Sequence, residues 1–113
     1  MDERVEKWLY DILNAIEEIE GYFKERTYNF NEYRNNTLLK RAIERNLEII
    51  GEAVNRIQKQ DPEIANQISE FHAIIALRNQ IIHAYDNISD ENIWAILIQH
   101  LPVLKEEINN LIS

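Results

Sequence analysis

Apolar side chains recur every three or four positions along most of the chain, which is the period of an α-helix. Over residues 5–23 they share one arc of the helix, and most of the acidic side chains lie on the other side. This pattern predicts an amphipathic helix that faces a core. The polar stretch at residues 26–31 predicts a connection, with Asn29 or Asn31 as the N-cap of the next helix.

The second predicted helix, over residues 31–59, has two apolar stripes side by side. The first stripe contains Leu39, Ile43, Leu47, Ile50, Val54 and Ile57, and the second contains Leu38, Ala42, Ile49 and Ala53. An apolar arc this wide predicts burial on two sides, by the helix's own bundle and by a partner chain.

A polar ridge runs beside these stripes and spans about 60° of the helix. Its members are Arg34, Arg41, Arg45, Glu52, Arg56 and Lys59. One interpretation is a solvated face in which Glu52 pairs with Arg56, four residues later. The other interpretation is a cationic surface for phosphates, with Arg41 and Arg45 as contacts to RNA.

Asp61-Pro62 ends this helix, and Pro62 suits the first position of a short helical turn that continues to Ile68. A further helix is predicted over residues 69–84. No segment up to this point has the period of a strand.

The last helix is predicted to begin after a cap at Ser89 or Asp90, and Pro102 should kink or divide it near residues 100–101. The sequence therefore predicts an all-α fold: an antiparallel four-helix bundle with a short extra helical turn, as a single domain over residues 1–113.

Composition excludes several classes of protein. The chain has no cysteine, which excludes disulfides, thiolate metal sites and a cysteine nucleophile, and it has only two glycines, which excludes a glycine-rich phosphate loop. No apolar run approaches the roughly 20 residues of a membrane span, and the first residues lack a signal peptide's apolar stretch, so we expect a cytoplasmic protein without membrane contact. The net charge of −8 disfavours nucleic acid, but residues 34–59 hold six basic and three acidic side chains.

Arg78 is the residue that most needs an explanation, because it lies in the middle of an apolar arc of its helix. A buried guanidinium without a partner is very costly, so Arg78 needs an anion, a carboxylate such as Glu52, or a water-filled seam. His72, Asn79 and His83 form a separate stripe about 100–140° away on the helix. Asn79 lies one turn before His83 and can orient its ring or contact the same ligand.

Residues 77–85 read Leu-Arg-Asn-Gln-Ile-Ile-His-Ala-Tyr, and they resemble the RN-x3-H-x-Y motif of the HepT-type toxins, a branch of the HEPN superfamily. Residues 42–53 are similar to the family's second helix, which reads A-x2-R-x-L-x-I-I-G-E-A. Ile93-Trp94 and residues 101–104 are similar to its last helix. The chain departs from the family at Glu70-Phe71, where members commonly have Pro-Trp.

This resemblance implies a HEPN-like fold and a homodimer whose two motif helices face each other across a cleft. It also implies metal-independent RNA cleavage, which would need neither a metal nor another cofactor. The catalytic residues would be Arg78 and His83, with Asn79 in support. The chain would then be the toxin of a type II toxin–antitoxin system. Its partner would be an MntA-type minimal nucleotidyltransferase, an antitoxin that transfers AMP to Tyr85.

The side chains suit this chemistry, but two other functions stay open. Histidine can exchange a proton with a ribose hydroxyl or a leaving oxygen, and arginine can hold a phosphate. The first alternative is a helical partner of a nucleotidyltransferase that binds a nucleotide without cleaving it, which the regional acidity favours. The second is a purely structural helical dimer, which would leave Arg78 in its apolar stripe unexplained.

Overall fold

The computed structural model describes residues 1–24, 28–83 and 88–113, and helices make up most of them. The helices are α1 (Glu3–Tyr22), α2 (Phe30–Asn35), α3 (Thr37–Gln60), α4 (Pro62–Ala65), α5 (Phe71–His83), α6 (Asp90–Ala95) and α7 (Leu101–Ile112), with a π-helical turn (Ile96–His100) between α6 and α7. The described residues contain no strand, which confirms the all-α fold class. None of the described helices is long and apolar enough to cross a membrane.

Short polar side chains begin the helices by accepting hydrogen bonds from backbone N–H groups that have no partner inside the helix. Asp2 accepts from the N–H of Arg4 at 2.7 Å and so begins α1. Asn29 accepts from the N–H of Glu32 at 3.0 Å, which makes it the N-cap of α2, as one of the two residues predicted for this role. Ser89 caps α6 in the same way, as predicted.

The prediction of one helix over residues 31–59 is wrong, because Asn36 separates α2 from α3. Asn36 has an extended backbone (φ −111°, ψ 95°), and its side chain accepts from the N–H of Leu39 at 3.0 Å. An asparagine side chain that caps a helix competes with continuation of the helix through that residue. Arg34 therefore lies on α2, where its guanidinium is 5.8 Å from the centre of the Phe30 ring, and not on the ridge of α3.

Pro102 divides the last helix as predicted. The π-helical turn ends at His100, and Pro102 lies in the first turn of α7. Proline lacks the N–H that would bond back to the residue four positions earlier, so the regular helical hydrogen bonding is interrupted here. The predicted short turn after Asp61 is also present: Asp61 accepts from the N–H of Ile64, and α4 begins at Pro62.

Helix α3 is the centre of the bundle. It packs against α1 on one side and against α5 on another, and α7 packs against α1. The first apolar stripe predicted for this helix is buried, including Ile43, Ile50 and Ile57. The second stripe is uneven, because Ala53 is buried but Leu38 is 82% exposed. The bundle therefore covers part of the wide apolar arc and leaves one end of it open, while burial by a partner chain stays a prediction.

Helix α5 runs back along α3. Gly51 lies nine residues before the end of α3 and contacts Arg78, which lies seven residues after the start of α5. The shortest dimension of the molecule is 19 Å, against 41 and 31 Å for the other two. An α-helix with its side chains is about 10 Å across, so the bundle is about two helices thick.

Candidate functional site

The candidate site begins where α5 crosses α3 at its closest point. A Cβ atom added to Gly51 would lie 2.4 Å from Cβ and 2.7 Å from Cγ of Arg78. Carbon atoms that are not bonded do not approach this closely, so only glycine at position 51 allows the approach. The first part of the Arg78 side chain therefore lies directly on the backbone of α3.

The guanidinium of Arg78 contacts one carboxylate and one amide. Its Nη2 atom lies 3.8 Å from Oε1 of Glu52, and its Nη1 atom donates a hydrogen bond to Oδ1 of Asn79 at 3.3 Å. Its Nε atom is buried and has no hydrogen-bond partner among the residues that the structure describes. The sequence predicts an anion, a carboxylate or a water-filled seam as the partner of Arg78, and the structure shows the carboxylate. Within the described residues, Glu52 forms its ion pair with Arg78 rather than with Arg56.

This ion pair contributes little to stability. The side chains of Arg78 and Glu52 are 24% and 39% exposed, and the distance of 3.8 Å is too long for a hydrogen bond. Partly exposed pairs of this kind are screened by water and contribute about 0–1 kcal/mol.

His83 is the last residue of α5, and both His83 and Asn79 are exposed. Asn79 lies one turn before His83 on the same side of the helix, but the hydrogen bond that the structure gives its side chain is to Arg78. His83 lies five positions after Arg78, which corresponds to about 140° of rotation and about 7.5 Å along the axis. The two predicted catalytic side chains therefore leave the helix in different directions.

The two other histidines are not part of this constellation. His72 is exposed, and its ring meets the edge of the half-buried Phe71 ring at a centroid distance of 5.3 Å. His100 lies 2.7 Å from the carboxylate of Glu70, which ties the π-helical turn to the start of α5. Phe71 packs against the core, so an aromatic side chain occupies the position at which the family pattern has tryptophan.

Arg41 and Arg45, the predicted contacts to RNA, each lie beside a glutamate three residues later. The Nη1 atom of Arg41 lies 2.8 Å from Oε2 of the buried Glu44, and that of Arg45 lies 3.8 Å from Oε1 of Glu48. Both arginine side chains are more than half exposed. The ridge on α3 is therefore accessible, but its positive charge is partly balanced from within the helix.

Tyr85, the predicted acceptor of AMP, lies outside the described residues, so its role stays a prediction. Within the part of the chain that the structure describes, no group of three or more His, Asp or Glu side chains is arranged to hold a metal ion. The site that the structure brings together consists of Arg78, Asn79, Glu52 and Gly51, with His83 at the end of the same helix.

Gly51 is the residue of this site whose contact with Arg78 the sequence did not predict. The signal for it was present, because a glycine in the interior of a long helix costs about 1 kcal/mol relative to alanine and needs a compensating reason. Close approach of another element is the most common such reason, and here that element is α5.

Comparison with known proteins identifies the family. A family model described as HepT-like, ribonuclease HepT-like, matches residues 12–111. This chain belongs to the ribonuclease HepT-like family. The match covers every segment on which the resemblance to HepT-type proteins rests, which are residues 42–53, 77–85, 93–94 and 101–104, and so confirms that resemblance.

Several relatives of similar length carry ribonuclease names. The chain is 32% identical over 109 residues to "Putative RNase MJ0125" of Methanocaldococcus jannaschii, which covers 96% of this chain and 91% of the relative. It is 34% identical over 104 residues to "Putative RNase MJ1380" of the same organism, with 92% and 93% covered. It is 30% identical over 104 residues to "Probable ribonuclease HepT" of Thermococcus cleftensis, with 92% of each chain covered. No solved structure matches the chain.

Proposed function

We propose that this protein is a metal-independent endoribonuclease and that Arg78 and His83 are its catalytic residues. The observation that carries the proposal is the placement of Arg78 on Gly51, beside Glu52 and Asn79 and on the same helix as the exposed His83. Membership of the ribonuclease HepT-like family and the names of the relatives support the substrate class.

The proposed reaction uses the RNA's own 2′-hydroxyl as the nucleophile. The imidazole of His83 takes the proton of this hydroxyl, the 2′-oxygen bonds to phosphorus, and the bond from phosphorus to the 5′-oxygen breaks. A protonated imidazole returns a proton to the leaving 5′-oxygen, and the product ends in a 2′,3′-cyclic phosphate. Arg78 stabilises the negative charge that builds up on the phosphate oxygens during the transfer. Since the nucleophile is internal, no metal-bound water is needed.

A homodimer would complete this site. Arg78 and His83 diverge by about 140° on one helix. A second copy of α5 that faces the first would therefore bring a His83 side chain to the side on which Arg78 lies. The outer side of α5 suits such a contact, because Ala76 is exposed and Ile82 is 38% exposed beside His83. Arg41 and Arg45 on α3 would contact the RNA backbone outside the cleft, and we place the enzyme in the cytoplasm.

Regulation by a minimal nucleotidyltransferase of the MntA type is the second part of the proposal. The hydroxyl oxygen of Tyr85, two residues beyond His83, would lose its proton and bond to the α-phosphorus of ATP, and the bond from that phosphorus to the β-phosphate would break to release pyrophosphate. The protein would then be the toxin of a type II pair. Tyr85 follows Arg78 by seven residues, which is the spacing of two helical turns in the sequence pattern, and on this basis we expect the added phosphodiester to compete with RNA for the guanidinium.

The test of catalysis is cleavage of a labelled single-stranded RNA by the purified protein in the presence of a chelator. We expect Arg78→Ala and His83→Ala each to reduce cleavage at least 100-fold, as removal of one transition-state donor or base does. His72→Ala is the matched control, because His72 is an exposed histidine on the same helix. Cleavage that survives in His83→Ala, or products without a cyclic phosphate, would refute the mechanism.

A nucleotide-binding partner that does not cleave is the alternative function. The observation in its favour is the balance of charge: the chain carries −8, and the basic side chains of Arg41 and Arg45 lie beside Glu44 and Glu48. Equilibrium binding of ATP and AMP, measured beside the RNA assay, separates the two functions. Binding of a nucleotide that Arg78→Ala abolishes, without cleavage of RNA by the wild type, would favour this alternative.

A further inference from the structure

Within residues 1–24, 28–83 and 88–113, the acidic side chain paired with Arg78 is that of Glu52, which belongs to a different helix. We propose that Glu52 is a positioning residue: its carboxylate, together with the bare backbone at Gly51, holds the guanidinium of Arg78 in the place where the RNA phosphate binds. This inference rests on the proposed function, because it assumes that Arg78 acts on a phosphate.

The first step of the argument is that Arg78 is fixed near its base. Its Cβ and Cγ atoms lie against the backbone of Gly51, so rotation about the first side-chain bonds is blocked by α3 itself. Its Nε atom is buried. What stays adjustable is the direction of the terminal Nη atoms, and these are the atoms that contact Glu52 and Asn79.

The second step concerns the length of the contact. At 3.8 Å the carboxylate of Glu52 attracts Nη2 without engaging it in a hydrogen bond. A bidentate pair at hydrogen-bond distance would use the donors that a phosphate needs. At this longer distance the carboxylate can orient the guanidinium and leave the donors of Nη2 available to the substrate.

The third step weighs the cost of this arrangement. A carboxylate beside an anion-binding arginine repels the substrate, and the pair is too exposed to stabilise the fold by much. A glutamate at this position therefore lowers the affinity for RNA while adding little stability. Orientation of the guanidinium in the transition state is the benefit that offsets this loss of affinity.

The experiment compares Glu52→Gln with Glu20→Gln in the full-length protein. Glu20 is a matched control, because it is also partly exposed, it pairs with Lys105 on another helix, and its carboxylate hydrogen bond raises the pKa of Lys105. With a labelled RNA oligonucleotide as substrate, we expect Glu52→Gln to lower kcat about 10- to 100-fold, the usual effect of a displaced catalytic group. KM should stay the same or fall, since the repulsion is gone, and Glu20→Gln should change neither constant.

A double variant separates positioning from a general effect on folding. In the Arg78→Ala background, Glu52→Gln should cause no further loss of activity, because the residue through which it acts is absent. A kcat within twofold of the wild type in Glu52→Gln, or an increase in KM alone, would overturn the inference. So would a further loss of activity in the Arg78→Ala background.

A readout without RNA keeps this inference distinct from the proposed function. The Nη–H groups of Arg78, which contact Glu52 and Asn79, should give NMR signals that are absent from Arg78→Ala and that exchange with water about tenfold faster in Glu52→Gln. An unchanged exchange rate would overturn the inference even if the protein cleaves RNA. Faster exchange in a protein that cleaves no RNA would support the holding role of Glu52 and refute the proposed ribonuclease activity alone.

Discussion

Gly51→Ala is the substitution whose effect the structure specifies best. The new Cβ would lie 2.4 Å from Cβ of Arg78, whereas ordinary contacts begin near 3.4 Å, so α5 must move away from α3 by about 1 Å. The atom in the way is next to the α5 backbone and cannot rotate aside. The substitution therefore separates two helices and does not merely displace the end of a side chain.

The expected change in the free energy of unfolding combines two opposing effects. Overpacking at a tight contact destabilises by about 1–3 kcal/mol. Alanine in place of a helical glycine stabilises by about 0.5–1 kcal/mol, because the unfolded chain loses freedom. We therefore expect Gly51→Ala to be destabilised by about 0–2.5 kcal/mol relative to the wild type.

Gly21→Ala is the matched control, because Gly21 is the other glycine, lies in the last turn of α1, and has nothing within 4 Å of an added Cβ. Gly21→Ala should be more stable than the wild type, because only the higher helix propensity of alanine acts at this position. The difference between the two variants isolates the contact with Arg78 and should be about 1–3 kcal/mol, or about 4–12 °C in Tm for a domain of this size.

Thermal unfolding followed by circular dichroism at 222 nm measures this difference, with all variants at one protein concentration so that any self-association is held constant. A Gly51→Ala variant as stable as Gly21→Ala would refute the close contact between α3 and α5. The RNA assay adds a second check, because movement of α5 by 1 Å also moves Arg78, and kcat should fall in Gly51→Ala but not in Gly21→Ala.

Four further predictions address the partner, the assembly and the caps. Co-expression with an MntA-type nucleotidyltransferase should add one or more AMP units to the wild type but not to Tyr85→Phe, as intact-mass spectrometry would show. A protein that is inhibited by the transferase but stays unmodified would contradict this prediction. Sedimentation at micromolar concentration should give a dimer, and a monomer would refute completion of the site by a second copy. Asn36→Ala should destabilise by about 1 kcal/mol in urea unfolding, since the cap of α3 is lost, whereas Asn35→Ala at an exposed neighbour should cost less. Hydrogen bonds from Arg4 lower the pKa of Asp2 below its ordinary value of 3.8. The ionised Asp2 therefore stabilises the folded protein fully above pH 3.8, and this contribution is lost as the pH falls through the lowered pKa. Asp2→Asn should keep the cap of α1 and remove this dependence of stability on acid.

The sequence predicted the helices well wherever one apolar stripe and a clear cap coincide. Helices α1 and α5 begin and end within two residues of their predicted bounds in the described part of the chain. The break at Asn36 was missed because the apolar stripe of α3 starts immediately after it, at Leu38 and Leu39, and hides the change of helix. Asn36 lies within a run of polar residues, so the spacing of apolar residues does not reveal that it caps a helix.

The sequence predicts that Arg78 needs a partner, because an arginine among apolar positions must be neutralised. It also offers Glu52 as a candidate for that partner. The contact with Gly51 could not be predicted, since it depends on the distance between two helix axes, which periodicity does not contain. The spacing of Asn79 and His83 predicts that their side chains lie near each other, because they are one helical turn apart. It does not predict the hydrogen bond that the Asn79 side chain accepts from Arg78.

The thinness of the bundle has a consequence for how its activity would depend on dose. With a shortest dimension of 19 Å, the bundle has too few layers to enclose α5 from both sides, so one chain alone leaves water beside His83. If a second copy closes that side, the number of working sites follows the square of the free protein concentration. Far below the dimer Kd, a twofold dilution would then remove about three quarters of the sites. A cell that halves its amount of this protein by growth and division would thus lose activity more steeply than the protein level suggests.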